Sequence, residues 1–139
     1  MTTEHRHKSV RVLDPRNEEP PPGLWSNCKR VGDQVYIAGL VAMREGRIVG
    51  EGDPLAQATF IFEMMRTYLE AAGGRIDDLL KMTIFITDMA YRPAVLEARR
   101  RFFSGDFPCS TLVAVSALID PRLLVEIEGV GVIGSSPEK

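Results

Sequence analysis

Two apolar runs, residues 110–118 and 123–133, dominate the last third of the chain. Asp120-Pro121 separates them, a pair that favours a turn and lacks one backbone donor, so two adjacent strands are predicted. In the second run, period-two alternation sets Val125, Ile127, Gly129 and Ile133 on one face and Glu126, Glu128, Val130 and Val132 on the other. Two carboxylates then share an otherwise apolar face. They stand about 6.6 Å apart at a rise near 3.3 Å per residue, close enough to disturb each other's ionisation. If protein covers that face, a carboxyl with a raised pKa is a candidate general acid or base. A solvent-facing strand with two exposed acids is the competing explanation.

Upstream, residues 10–13 predict a short first strand. The proline-rich connector 14–23 suits neither helix nor sheet interior and is expected to run extended over the surface. Residues 24–31 and 34–40 flank Gly32-Asp33 as a hairpin, with Val35, Ile37 and Gly39 on one face and Tyr36, Ala38 and Leu40 on the other. A pair around 41–49, turning at Glu45-Gly46, extends the meander. Residues 53–72 carry helix marks at both ends: Asp53 as N-cap, Pro54 in the first turn and Gly73 beyond the last. Leu55, Ala58, Phe62, Met65, Leu69 and Ala72 form its apolar stripe. Met64 and Met65 read as packing residues. Residues 79–87 predict a strand with Met82, Ile84 and Ile86 inward, and 93–103 a second helix burying Val95, Ala98 and Phe102.

On that helix Arg99, Arg100 and Arg101 diverge too far to form one patch, and they read as a solvated flank rather than an RNA contact. Two helices on one face of a mostly antiparallel sheet make an α+β layer. The other face carries Leu112, Ala114, Val130 and Val132 beside the glutamates. It is too apolar for water and is expected to be covered by other copies of the chain.

With 139 residues, 45% hydrophobic and 26% charged, the composition fits one soluble domain. The expected division is an arm and connector over 1–22, one domain over 23–134 and a tail over 135–139. A net charge of -2 gives no general attraction to nucleic acid or anionic membranes. Nothing reads as a signal peptide or a membrane span, so a cytoplasmic location is expected. Cys28 and Cys109 lack metal-type spacing and are expected as buried or half-buried free thiols. His5 and His7 hold a metal only if other ligands join them.

Several motifs follow in order: GLWSNC at 23–28, VYIAGLV at 35–41, DPLAQATFIFEMMRTYLEAAGG at 53–74, DDLLKMTIFITDM at 77–89, FP at 107–108 and VEIEGVGV at 125–132. Together they resemble the RidA/YjgF family (Rid, endoribonuclease L-PSP-like) over residues 23–133. The resemblance implies a chorismate-mutase-like α+β subunit in a homotrimer, with sheets forming a central barrel and three clefts between subunits. It also implies hydrolysis there of enamines and imines derived from amino acids, releasing ammonia and a 2-oxo acid, without metal or organic cofactor.

Carried over residue by residue, the resemblance makes Glu126 the catalytic group that positions or activates water. It places Trp25, Ala38, Gly39, Pro108, Cys109 and Ser110 around the small-molecule ligand. The departures are specific. Ser110 stands where RidA-type enzymes carry the arginine that holds the substrate carboxylate. Trp25 replaces a tyrosine, Ala38 a serine, Leu96 an asparagine and Leu112 a cysteine, which makes this a divergent member. A carboxyl such as Glu126 that donates a proton to the imine nitrogen and accepts one from water serves both halves of hydrolysis. Cys109 has no histidine beside it and reads as structural.

Two classes follow: an enamine/imine deaminase-type hydrolase acting on an atypical substrate, or a non-catalytic small-molecule-binding trimer of the same fold. Ribonuclease action that inhibits translation is a distant third in an acidic chain with no aromatic and basic interleaving. Without a charged anchor at Ser110, a 2-imino acid is expected to bind about ten- to a hundred-fold more weakly. The preferred ligand is then bulkier, less acidic or anchored by a different cation, among them Arg92, Arg99 or Arg122.

Overall fold

The computed structural model describes residues 8–136, so His5 and His7 lie outside the described residues. The order is β1 (Ser9–Arg11), β2 (Cys28–Val31), β3 (Gln34–Val41), β4 (Met43–Arg44), β5 (Arg47–Ile48), α1 (Pro54–Ala71), β6 (Leu79–Ile86), α2 (Arg92–Arg100), β7 (Cys109–Ala114) and β8 (Val125–Val132). The main sheet runs β1-β2-β3-β8-β6-β7, antiparallel throughout except for the parallel pair β6–β7. The α+β layer expected from the patterning is therefore present, with both helices on one sheet face.

Helix α1 forms where its end signals predict. Asp53 accepts the Ala56 N–H at 3.1 Å, and Gly73 takes φ +101° just past the helix. Its stripe lies against β3 and β8, with Phe62, Met65 and Leu69 fully buried. Close approach to β8 requires glycine: a Cβ at Gly131 would lie 2.8 Å from the Asp78 carbonyl oxygen. In β6, Met82, Ile84 and Ile86 are fully buried, and β8 alternates as predicted, with Val125, Ile127 and Gly129 inward. Helix α2 buries Val95 and Ala98. Phe62 packs against Phe102 and Phe103 at centroid distances of 5.6 and 5.9 Å.

Four expectations are corrected. The two C-terminal strands are not neighbours: β8 lies between β3 and β6, while β7 pairs parallel to β6 at the sheet edge. The segment between them crosses over β6, and the Asp120-Pro121 turn closes within it through the Leu123 N–H to Asp120 carbonyl bond of 3.0 Å. A register shift between Ile37 and Leu40 breaks the period in β3, so Leu40 joins Val35 and Ile37 in the core. The pair β4–β5, turning at Glu45 and Gly46 with φ of 52° and 73°, forms its own two-stranded sheet rather than extending the meander. Leu112 and Ala114 pair with Ile84 and Ile86, which puts them on the helix side and away from the glutamates.

The connector is tied down rather than loosely draped. Asn17 donates to Thr67 Oγ1 at 2.7 Å, and the Tyr68 hydroxyl donates to the Glu19 carboxylate. The β7–β8 crossover is held from below by Gln57 of α1. Its Nε2 donates to the Gly50 and Arg122 carbonyls at 3.2 and 3.0 Å, and its Oε1 accepts the Leu124 N–H at 2.8 Å. Gln57 is fully buried, so Gln57→Leu strands two groups of the crossover, the Arg122 carbonyl and the Leu124 N–H, while the Gly50 carbonyl keeps the Asp53 N–H. We expect a loss of about 3 kcal/mol in denaturant unfolding, from an unsatisfied-group cost of about 1–3 kcal/mol each with partial relaxation. A loss below about 1 kcal/mol would show that the crossover is held elsewhere.

Candidate active site

Glu126 occupies the middle of the sheet, opposite Val41 on one side and Phe85 on the other. Its carboxylate lies against Gly39, where an added Cβ would come within 2.9 Å of Glu126 Cδ. The bulge at Ala38-Gly39 creates that space, because it turns one glycine toward the glutamate face without displacing Leu40 from the core. Burial first, and then the negative charge of Glu128, push the Glu126 pKa up. Of the two acids only Glu126 is partly covered; Glu128 is exposed.

Two concavities adjoin this point. One, of about 620 Å³, opens on the glutamate face and is lined by Lys29, Tyr36, Ala38, Lys81, Glu128 and Val130 among others. The second, of about 260 Å³, is lined by Trp25, Asn27, Gly39, Arg44, Phe60 and Met64 among others. Trp25 is half exposed, and its Nε1–H donates to Asn27 Oδ1 at 2.9 Å. Asn27 Nδ2 in turn donates to the Tyr68 hydroxyl at 3.1 Å, so Trp25 is oriented by a chain that ends on Glu19. Desolvation, followed by the hydrogen bond to Glu19, pushes the Tyr68 pKa up, and Tyr68 serves as a neutral donor.

The remaining predicted residues stand elsewhere. Pro108 leads into the edge strand β7, and Cys109 begins it, exposed rather than buried. Cys28 is the buried thiol, its pKa pushed up to about 12 by desolvation and by Glu19. Ser110 pairs with Met82, on the helix side, where its Oγ accepts from Arg99 Nη1 at 3.0 Å. Within one chain, Ser110 and Glu126 are two strands and three residues apart on opposite sheet faces, about 14 Å between Cα atoms at the usual strand spacings. One chain therefore brings together Glu126, Gly39, Ala38 and Trp25, but not Ser110.

The glutamate face is uncovered by the chain's own helices, and Tyr36 and Val113 stand on or beside it partly exposed. Among the described residues no three His, Cys, Asp or Glu side chains cluster as a metal site, and no helix is long and apolar enough to cross a membrane.

The family model for endoribonuclease L-PSP matches residues 16–133. This chain belongs to that family, the RidA/YjgF family. It is 31% identical over 125 residues to a 2-iminobutanoate/2-iminopropanoate deaminase of Dermatophagoides farinae, covering 88% of this chain and 96% of the relative. A protein of unknown function from Pseudomonas aeruginosa superposes with a TM-score of 0.85 at 34% identity, covering 93% of this chain and 95% of that one. RidA from an Antarctic Psychrobacter superposes with a TM-score of 0.74 at 28% identity, covering 89% and 100%.

The Asn27–Tyr68–Glu19 chain joins three separate segments, and no local pattern announces it. Arg99 reads from sequence both as part of a solvated flank and as one of three candidate cations; in the structure it is half-buried against β7, and its i,i+3 spacing from Leu96 on one helix face is the signal that separates it from Arg100 and Arg101.

The raised pKa of Glu126 has a stability consequence. A carboxyl whose folded pKa lies above its unfolded value contributes stability that is full below the unfolded value, about 4.3. That contribution is lost as pH rises through the folded value. Glu126→Gln, which cannot ionise, is expected to melt above the unmodified protein at pH 7 and to converge with it below about pH 4. Equal melting at pH 7 would mean that burial does not oppose ionisation here.

Proposed function

We propose that this chain hydrolyses imines or enamines derived from amino acids, with Glu126 as general acid and base, in clefts formed between copies of the chain in a homotrimer. The observation that carries this reading is the half-buried Glu126 carboxylate, raised in pKa and seated against Gly39 beside two concavities. A carboxyl whose burial favours its protonated form is the kind of group that donates a proton to an imine nitrogen. Glu126 gives its proton to the imine nitrogen, which makes the carbon electrophilic. Water adds to that carbon and returns a proton to the carboxylate. The same proton then goes to the amine nitrogen, the C–N bond breaks with release of NH₃, and the hydroxyl proton returns to the carboxylate as the C=O forms, which regenerates the protonated Glu126. The balance is C=NH plus H₂O giving C=O plus NH₃. An enamine enters the same path once its carbon is protonated.

The likeness to a 2-iminobutanoate/2-iminopropanoate deaminase supports the reaction class. The geometry of one chain supports the oligomer: its glutamate face is open and residue 110 is out of reach of Glu126 across the sheet, as in an assembly where a second copy brings the β7 edge to the glutamate face.

The test is ammonia release from 2-iminobutanoate generated in place. Glu126→Gln is expected to lower kcat by about 10² to 10⁴, and Glu128→Gln by far less. Light scattering at micromolar concentration is expected to report three subunits. Saturable binding without ammonia release would replace the hydrolase with the non-catalytic binding trimer. Equal small effects of the two substitutions would remove Glu126 from the chemistry.

A further inference from the structure

The end of α2 carries Arg99 and Arg100, with Arg101 just past it, and the three arginines have two different fates. Arg100 and Arg101 are met by Glu97 at 2.7 and 3.7 Å. Arg99 turns the other way, over the edge of the sheet. Its Nη1 donates to Ser110 Oγ at 3.0 Å, and its Cζ stands 5.9 Å from the Phe107 ring centroid. Its Nε is buried without a hydrogen-bond partner. A guanidinium offers five N–H donors and a permanent charge, and among the described residues a single neutral hydroxyl accepts from it. Burial first, and then the positive charges of Arg92 and Arg100, push its pKa down. Among the described residues no carboxylate pairs with this half-buried cation, an unfavourable arrangement that an anion at its guanidinium would complete.

We propose that Arg99 is the anion anchor of the cleft, binding the carboxylate of the ligand from α2 rather than from β7. Ser110 then holds the guanidinium in place and does not touch the carboxylate by charge. The other two cations fit the role less well. Arg122 is engaged by Asp120 through bonds of 3.1 and 2.9 Å. Arg92 sits seven residues earlier on the same helix, about 10 Å along its axis. Leu96, one turn before Arg99, and Leu112, beside Ser110 on the same side, make the wall next to the anchor apolar. The ligand class is thus a carboxylate with an apolar chain, a 2-oxo or 2-imino monocarboxylic acid larger than the smallest members. The chemical identity of that ligand rests on the hydrolase reading above; the anchor itself does not.

The probe is 2-oxobutanoate, a stable carboxylate, titrated calorimetrically into the assembled protein alongside its neutral amide, 2-oxobutanamide. Arg99→Gln is expected to weaken 2-oxobutanoate binding about ten- to a hundred-fold and leave the amide unchanged. Adding Ser110→Arg to that variant is expected to recover the carboxylate preference, a rescue that a merely structural arginine would not show. Unchanged 2-oxobutanoate binding in Arg99→Gln, equal losses for acid and amide, or no saturable binding to the unmodified protein each overturn the proposal. A crystal structure of the unmodified protein with 2-oxobutanoate does not depend on any variant folding. A carboxylate within hydrogen-bond distance of Arg99 supports the anchor, and one placed elsewhere overturns it. Arg99-dependent binding with no ammonia release from 2-iminobutanoate would retain the anchor and refute the hydrolase.

Discussion

A glutamate on a sheet face folds back against its neighbouring strand only where that neighbour lacks a side chain. Glu126 finds that space over Gly39, and Gly39 faces it because a bulge shifts the register of β3 by one residue. Without the shift, either Leu40 or Gly39 would be misdirected: one belongs to the core and the other to the glutamate face. The bulge satisfies both demands at once. It lets the core of β3 continue under α1 while the opposite face accepts a partly desolvated acid. The raised pKa of Glu126 follows from that covering and then from Glu128 on the same strand.

The second wall of the proposed cleft is built by a different device. The parallel pairing of β7 with β6 places Ser110 and Leu112 on the helix side, and the aromatic cluster around Phe62 seats α2 so that Arg99 reaches over the edge strand. Crossing from β7 to β8 requires an irregular segment over β6, which Gln57 holds by two hydrogen bonds from α1. The two walls lie on opposite faces of one chain. In the proposed trimer they meet because the uncovered glutamate face of one copy receives the β7 edge of another.

Most of the layer was legible in the residues. Helix α1 declares itself through Asp53, Pro54 and Gly73, and the alternation of Val125, Ile127 and Gly129 gives the correct inward face of β8. What period and turn signals do not carry is pairing order. Two consecutive strands joined by a turn pair were read as neighbours, whereas the chain inserts β6 between them. That misreading moved Leu112 and Ala114 to the wrong face. Bulges are equally silent, since nothing in VYIAGLV marks where alternation slips. The choice among Arg92, Arg99 and Arg122 stays open in the sequence for a third reason: a run of three arginines looks solvated, and only tertiary packing separates the one that turns inward.

The most direct measurement of a cleft shared between copies is complementation. Glu126→Gln and Arg99→Gln proteins, each impaired alone, are mixed, unfolded and reassembled, and ammonia release from 2-iminobutanoate is measured. If each cleft takes Arg99 from one copy and Glu126 from the next, random reassembly leaves about one quarter of the clefts with both groups intact, and activity returns to about that share of the unmodified protein. Reassembled mixtures no more active than the average of the two parents would contradict a cleft built from both.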